Sequence, residues 1–125
     1  MHYIFAYTKT VLFGSPIIFK LLFVSALTSP KSEATYCVFG FSKTLEQNYE
    51  LLSHLDLLKM IEKPILVGVS RKSMIYKLLE TTPDYALNGS TTLNTVALLN
   101  GASILRVHDV KEAMETIKLV ESLNA

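Results

Sequence analysis

The chain is poor in several things, and each shortage removes a class of protein. It has one cysteine, Cys37, so no internal disulfide framework and no cysteine-rich zinc site can be built. A single thiol fits a reducing compartment. There is no tryptophan, and only 5 glycines and 4 prolines occur in 125 residues, which is not a linker or low-complexity composition. Only 18% of residues are charged and the net charge is +1, so no global field favours nucleic acid or an anionic membrane. Acidic residues are absent before Glu33. Half of the residues are hydrophobic, enough to bury a core at the size of one domain.

Residues 1–36 and the remainder read as different kinds of sequence. The first part is strongly apolar, as a membrane span or a secretory signal would be. Against a span, Pro16 and Lys20 interrupt the run, and a central lysine costs about 2.5–3.5 kcal/mol on insertion. Against a signal, Lys20 divides the stretch from Ile17 to Val24, although Ser25-Ala26 supplies small residues for cleavage. A third reading is that this segment is foreign to the rest of the chain.

The second part is clearly punctuated. Thr44-Leu45-Glu46-Gln47 has the capping-box pattern. Leu45, Tyr49, Leu52 and Leu55 follow at helical spacing, predicting a helix to about Lys59 or Met60. Pro64 then precedes Ile65 to Val69, a continuous apolar run that suits a parallel strand buried on both faces. A short helix over Met74–Glu80, a turn at Pro83-Asp84 and a helix over Ser90–Leu99 come next, the last stopped by Asn100-Gly101. "ASILRV" is a second buried strand. Asp109 and Glu112 look like a helix cap, and Val110, Ala113, Ile117 and Val120 form the apolar stripe of a last helix. Strands alternating with helices predict an α/β fold with parallel pairing and right-handed crossovers. In such folds chemistry sits in the loops at the carboxyl ends of the strands. Here those positions read "FGFSK", "SRKS" and "RVHD".

Arg71, Lys72, Arg106 and His108 therefore fall at the ends of two strands expected to be neighbours, about 4.8 Å apart. Like charges gathered on one rim are unfavourable unless an anionic ligand is expected. Ser73 starts a helix whose N–H groups can hold a carboxylate or phosphate. Arg106 offers a fork for an anion or a flat face for an aromatic ring, and His108 can donate to a phosphate oxygen. Each residue also has a plainer reading. Arg71 and Lys72 alone suit a solvated loop, and His108 alone suits a structural hydrogen bond. Asp109 suits a helix N-cap, His54 a surface position, and Phe39 and Phe41 an ordinary core. The conjunction at one mouth carries the argument.

The wording of these motifs resembles a known family. "FGFSKTLEQNYELL", "PILVGVSRKSMI" and "GASILRVHDVKEAMET" are similar to the carboxyl-terminal half of dihydropteroate synthase, over about residues 38–125. The resemblance implies a partial TIM-type (βα)8 barrel, roughly its last two to three βα units. Residues 37–125 would form the C-terminal half of a pterin-binding barrel, preceded by an unmatched apolar segment over 1–36. It implies a transferase of folate biosynthesis that condenses dihydropterin methyl diphosphate with 4-aminobenzoate and releases diphosphate. Lys72 and Arg106 would bind the pterin, and Arg106 and His108 the diphosphate. Phe41, Ser70, Arg71 and Ser73 would form the 4-aminobenzoate pocket. By the same resemblance Mg²⁺ would ride on the substrate diphosphate; the sequence itself has no dedicated metal cluster. A cytoplasmic homodimer is implied, with no nucleic-acid partner and no membrane.

The sequence also departs from that family. An Asp-Pro-Gly-Phe run is expected before "GFSK", its Asp anchoring the pterin through charge-assisted hydrogen bonds. Here Tyr36, Cys37 and Val38 occupy those positions. Upstream the resemblance ends within a few residues, which predicts a truncated or misjoined reading frame. A whole barrel takes about 250 residues, and half of one leaves sheet edges uncovered. The alternative is a non-catalytic remnant, an anion-binding fragment without the pterin-anchoring Asp. Both readings predict a chain that folds poorly or self-associates when alone.

Overall fold

The computed structural model describes residues 3–6, 35–37, 39 and 43–123. Four short parallel strands, β1 (Tyr3–Ala6), β2 (Thr35–Cys37), β3 (Ile65–Val67) and β4 (Ile104–Val107), form one sheet in the order β1-β4-β3-β2. The helices α1 (Leu45–Ser53), α2 (Ser73–Tyr76), α3 (Leu87–Leu99) and α4 (Val110–Leu123) intervene. The architecture is α/β with a small parallel sheet, as the alternation of patterns predicts. Beyond that expectation, Tyr3–Ala6 pairs with β4 at one edge and Thr35–Cys37 with β3 at the other. Among the described residues no helix is long and apolar enough to cross a membrane.

The capping box closes as its residues require. Thr44 Oγ1 accepts from the Gln47 N–H at 3.2 Å, and Gln47 Oε1 accepts from the Thr44 N–H at 2.9 Å. The helix is shorter than its spacing predicts. It ends at Ser53, and the chain tightens into a 3-10 segment, Leu55–Ile61. The reason is periodic: Leu55, Leu58 and Ile61 recur every three residues, and the three-residue turn sets them on one side, against the core. Glu62, in the left-handed region at φ 57°, ends this segment ahead of β3.

Among the described residues, helices cover one face of the sheet. Ile65, Val67, Leu105 and Val107 are buried beneath the helices, while Leu66 and Ile104, which point the other way, are only half-buried. The apolar run is thus not buried on both faces, because the described helices pack on one side alone. The last helix differs from its expected stripe at one position. Ala113, Ile117 and Val120 are buried, but Val110 lies exposed at the helix start. Thr116 joins the buried face instead, its hydroxyl satisfied by Glu112 O at 2.7 Å.

The helices approach closely where α3 crosses α2. A Cβ built on Gly89 would sit 2.3 Å from Cγ2 of Ile75, a fully buried side chain. Ala normally stabilises a helix over Gly by up to about 1 kcal/mol. Forcing a methyl into a filled core costs about 1–3 kcal/mol. Gly89→Ala should therefore lower stability by up to ~2 kcal/mol in a urea titration; a rise in the midpoint would refute this packing.

Candidate functional site

The site grows out of the β3–β4 pairing. Leu66 faces Ile104 and Val67 faces Leu105. Beyond the strand ends the partnership continues at the same offset. Ser70 and His108, 38 residues apart, share a hydrogen bond, and so do Arg71 and Asp109. Gly68 and Arg106 lie between, at the same spacing; a Cβ on Gly68 would be 3.7 Å from Arg106 Cβ. Because side chains alternate across a strand, Arg106 stands on the face opposite the buried Leu105 and Val107.

Gly68, Ser70, Lys72, Arg106, Val107 and His108 line one open cleft of about 220 Å³. Drug-sized ligands occupy about 300–1,000 Å³, so this cleft is sized for one part of such a molecule. Lys72, Arg106 and His108 thus meet at one mouth at the carboxyl ends of β3 and β4. Ser73 is the first residue of α2, next to the mouth but not in the lining. Phe41 lies outside the described residues, and Phe39 is buried in the core.

Each cation is held differently. Lys72 is half-buried and donates from Nζ to Phe39 O at 3.0 Å, which leaves two of its three N–H groups for the cleft. Burial first, and then repulsion from Arg106 and Lys43, pull its pKa below the ordinary lysine value of 10.5. His108 is exposed at the rim. Its backbone N–H donates to Ser70 Oγ at 3.1 Å and its Nδ1 lies 2.9 Å from that hydroxyl, so Nε2 is the ring nitrogen available to a ligand. Ser70 itself is buried, and its hydroxyl braces His108, a role that the sequence alone does not signal.

Arg71 departs most from the sequence reading. Its guanidinium does not line the cleft. Nε and Nη2 donate to the two carboxylate oxygens of Asp109 at 3.0 and 2.8 Å. Nη1 donates to Pro83 O at 2.8 Å and Asp84 O at 3.2 Å. Arg71 also sits at φ 54°, which costs a non-glycine residue about 1 kcal/mol or more. Its backbone N–H, bonded to Ser90 Oγ at 2.9 Å, helps hold that conformation. Asp109 stands at the expected helix cap, and its backbone carbonyl accepts from Ala113 N–H at 3.1 Å, but its carboxylate faces Arg71. The signal for this pair is present in the sequence: opposite charges one residue beyond each of two neighbouring strand-end positions.

Among the described residues no three His, Cys, Asp or Glu side chains gather as a metal-binding set. The cleft is lined by cations and the Asp109 carboxylate is engaged by Arg71. Magnesium prefers oxygen ligands, so this donor set does not fit it.

The description "Pterin binding enzyme" belongs to the family model that matches residues 37–108. Dihydropteroate synthase of Escherichia coli (strain K12) is 48% identical over 84 residues, covering 67% of this chain and 30% of the relative. The crystal structure of Yersinia pestis dihydropteroate synthase superposes with a TM-score of 0.71 at 45% identity, covering 73% of this chain and 43% of that one. A Coxiella burnetii dihydropteroate synthase in complex with pteroic acid gives 0.68 at 38% identity, covering 71% and 34%. The chain spans about 30% of the length of the curated relatives it matches.

The Asp109 carboxyl is held below its ordinary value of 3.8, first by the hydrogen bonds from Arg71 and then by the charges of Arg71 and His108. Such a group stabilises the fold above its unfolded pKa, and that contribution is lost as pH falls through the folded one. Asp109→Asn should melt lower than the parent at pH 7, with the gap closing below pH 3.8, in circular dichroism melts. A gap that persists unchanged in acid would exclude this linkage.

Proposed function

This chain belongs to the pterin-binding enzyme family, and we propose that it carries the diphosphate-gripping part of a dihydropteroate synthase site. The supporting observation is the meeting of Lys72, Arg106 and His108 around one cleft at the ends of β3 and β4. In the proposed reaction the amine of 4-aminobenzoate attacks the methylene carbon of dihydropterin methyl diphosphate. The carbon–oxygen bond breaks and diphosphate departs with the bonding electrons. Negative charge grows on the leaving oxygens as that bond stretches. Fixed cationic donors then stabilise the transition state more than the ground state. Arg106 supplies a guanidinium for the diphosphate and a flat face for the pterin ring. His108 offers Nε2–H to a phosphate oxygen. Lys72 reaches the pterin with the N–H groups that Phe39 O leaves over.

On this reading Ser73 and Ser70, with Phe41, border the 4-aminobenzoate, and Arg71 shapes that edge from behind. Holding two flat substrates end to end supplies much of the remaining acceleration. Mg²⁺ would belong with the substrate's diphosphate and not with these side chains. Strands β3 and β4 are read as part of a TIM-type barrel, with residues 37–125 its carboxyl-terminal half and 1–36 an apolar segment outside the family match. A cytoplasmic homodimer completes the proposal.

A second reading has its own observation. Tyr36 stands in β2, beside β3, at the position where the family resemblance expects the pterin-anchoring Asp. A tyrosine cannot accept a bidentate pair of hydrogen bonds as a carboxylate does. On that reading the chain binds anions without selecting a pterin. Calorimetric titration separates the two. Binding of dihydropterin diphosphate well above that of inorganic pyrophosphate, with dihydropteroate formed on adding 4-aminobenzoate, supports the enzyme. Equal binding of both, without product, supports the anion-binding fragment.

Lys72 lines the same cleft as Arg106 and His108, so on either reading its ammonium also adds to the grip on an anion there. Lys72→Met should weaken pyrophosphate binding about 10–100-fold, the worth of one charge-assisted hydrogen bond. In the parent chain, affinity should fall as pH rises through the lowered pKa of Lys72, below 10.5, because the ammonium is lost there. That step should vanish in Lys72→Met. Retention of the same alkaline step in the variant would remove Lys72 from the site.

A further inference from the structure

We infer that Arg71 and Asp109 act as a positioning pair, setting Lys72 and His108 for anion binding without touching the anion. The inference rests on the reading of the cleft as an anion site and adds to it. Arg71 immediately precedes Lys72, and Asp109 immediately follows His108. Their double hydrogen bond, at 2.8 and 3.0 Å, therefore ties the loop after β3 to the loop after β4 at the two positions flanking the cleft cations. The remaining guanidinium nitrogen ties the same point to Pro83 O and Asp84 O, and the Arg71 N–H ties it to Ser90 on α3. Ser90 Oγ is itself fixed, donating to Ala86 O at 2.7 Å. The left-handed backbone of Arg71 turns the chain so that the Arg71 guanidinium runs to Asp109 while Lys72 lines the cleft.

The pair also has an electrostatic consequence. An arginine beside an anion site would normally add its charge to the site. Here Asp109 offsets that charge, and the geometric constraint is what remains. The two possibilities predict opposite signs for one substitution. If electrostatics alone governed, Asp109→Asn would remove a negative charge near the cleft and free Arg71, so an anion would bind more tightly. If position governs, the same change lets the two loops drift and the anion binds more weakly.

The test uses the full chain and inorganic pyrophosphate, by calorimetric titration. Asp109→Asn is expected to weaken binding roughly 10–100-fold, the worth of one charge-assisted hydrogen bond to the anion lost from a displaced Lys72 or His108. Arg71→Gln should cost the same, and the Arg71→Gln/Asp109→Asn double variant no more than either alone. Asp109→Glu should recover part of the loss. Tighter or unchanged binding by Asp109→Asn overturns the inference, as do additive losses in the double variant. A second measurement needs no variant and decides the matter if Asp109→Asn does not fold. On adding pyrophosphate to the parent chain, the ¹⁵N resonance of Arg71 Nε should stay in place while that of His108 Nε2 moves. Movement of the Arg71 resonance to a new position overturns the inference. A parent chain that binds no pyrophosphate removes the anion-site reading itself, and this inference with it.

Discussion

The pairing of β3 with β4 governs everything else in this molecule. Two short parallel strands in a fixed register carry their partnership past the last ladder hydrogen bond, into the loops beyond. Gly68 lies by Arg106, Ser70 by His108 and Arg71 by Asp109 because Leu66 lies by Ile104. A slip of one residue would turn Arg106 toward the helices and Leu105 toward the cleft. The buried face prevents this: Leu105 and Val107 would have to leave the core together.

That constraint allows an arrangement which electrostatics alone would resist. Burial penalises the Lys72 ammonium first, and repulsion from Arg106 in the same cleft adds to it. The apolar core beneath the sheet holds them there, and the Phe39 carbonyl satisfies one N–H of the lysine. An anionic group entering the cleft would relieve the repulsion. A contact within the fold thus holds Lys72 in the cleft beside Arg106.

Membership of the pterin-binding enzyme family and the short span of the chain bear on different questions. Where the chain matches its relatives, it has the motifs and a sheet with the cationic rim at its carboxyl ends. The rim brings the N–H donors of Lys72, Arg106 and His108 to one cleft. A pterin needs in addition an acceptor for its ring edge, and at the position where the resemblance expects one the sequence has Tyr36. The cationic rim lies at the ends of β3 and β4 and Tyr36 lies on β2, so the two features are carried by different strands.

Much of this was legible in the residues. The alternation of helix and strand patterns, the capping box at Thr44, the start of α2 at Ser73 and the buried stripe of α4 all arise from local spacing and local hydrogen bonding. So did the convergence of Lys72, Arg106 and His108, because parallel strands carry their loops to one end. Other features depended on partners distant in the chain. The exposure of Val110 and the half-burial of Leu66 and Ile104 are set by what packs against them. Arg71 is the clearest case. Its sequence neighbours make it one more cation at the mouth, yet Asp109, 38 residues on, and the carbonyls of Pro83 and Asp84 draw its guanidinium away. The sequence by itself determined which residues reach the ends of the strands, since periodicity and capping are local. Only the tertiary structure decided which of those charges face the cleft and which pair with each other, since that choice depends on strand register and on hydrogen-bond partners that local spacing does not reveal.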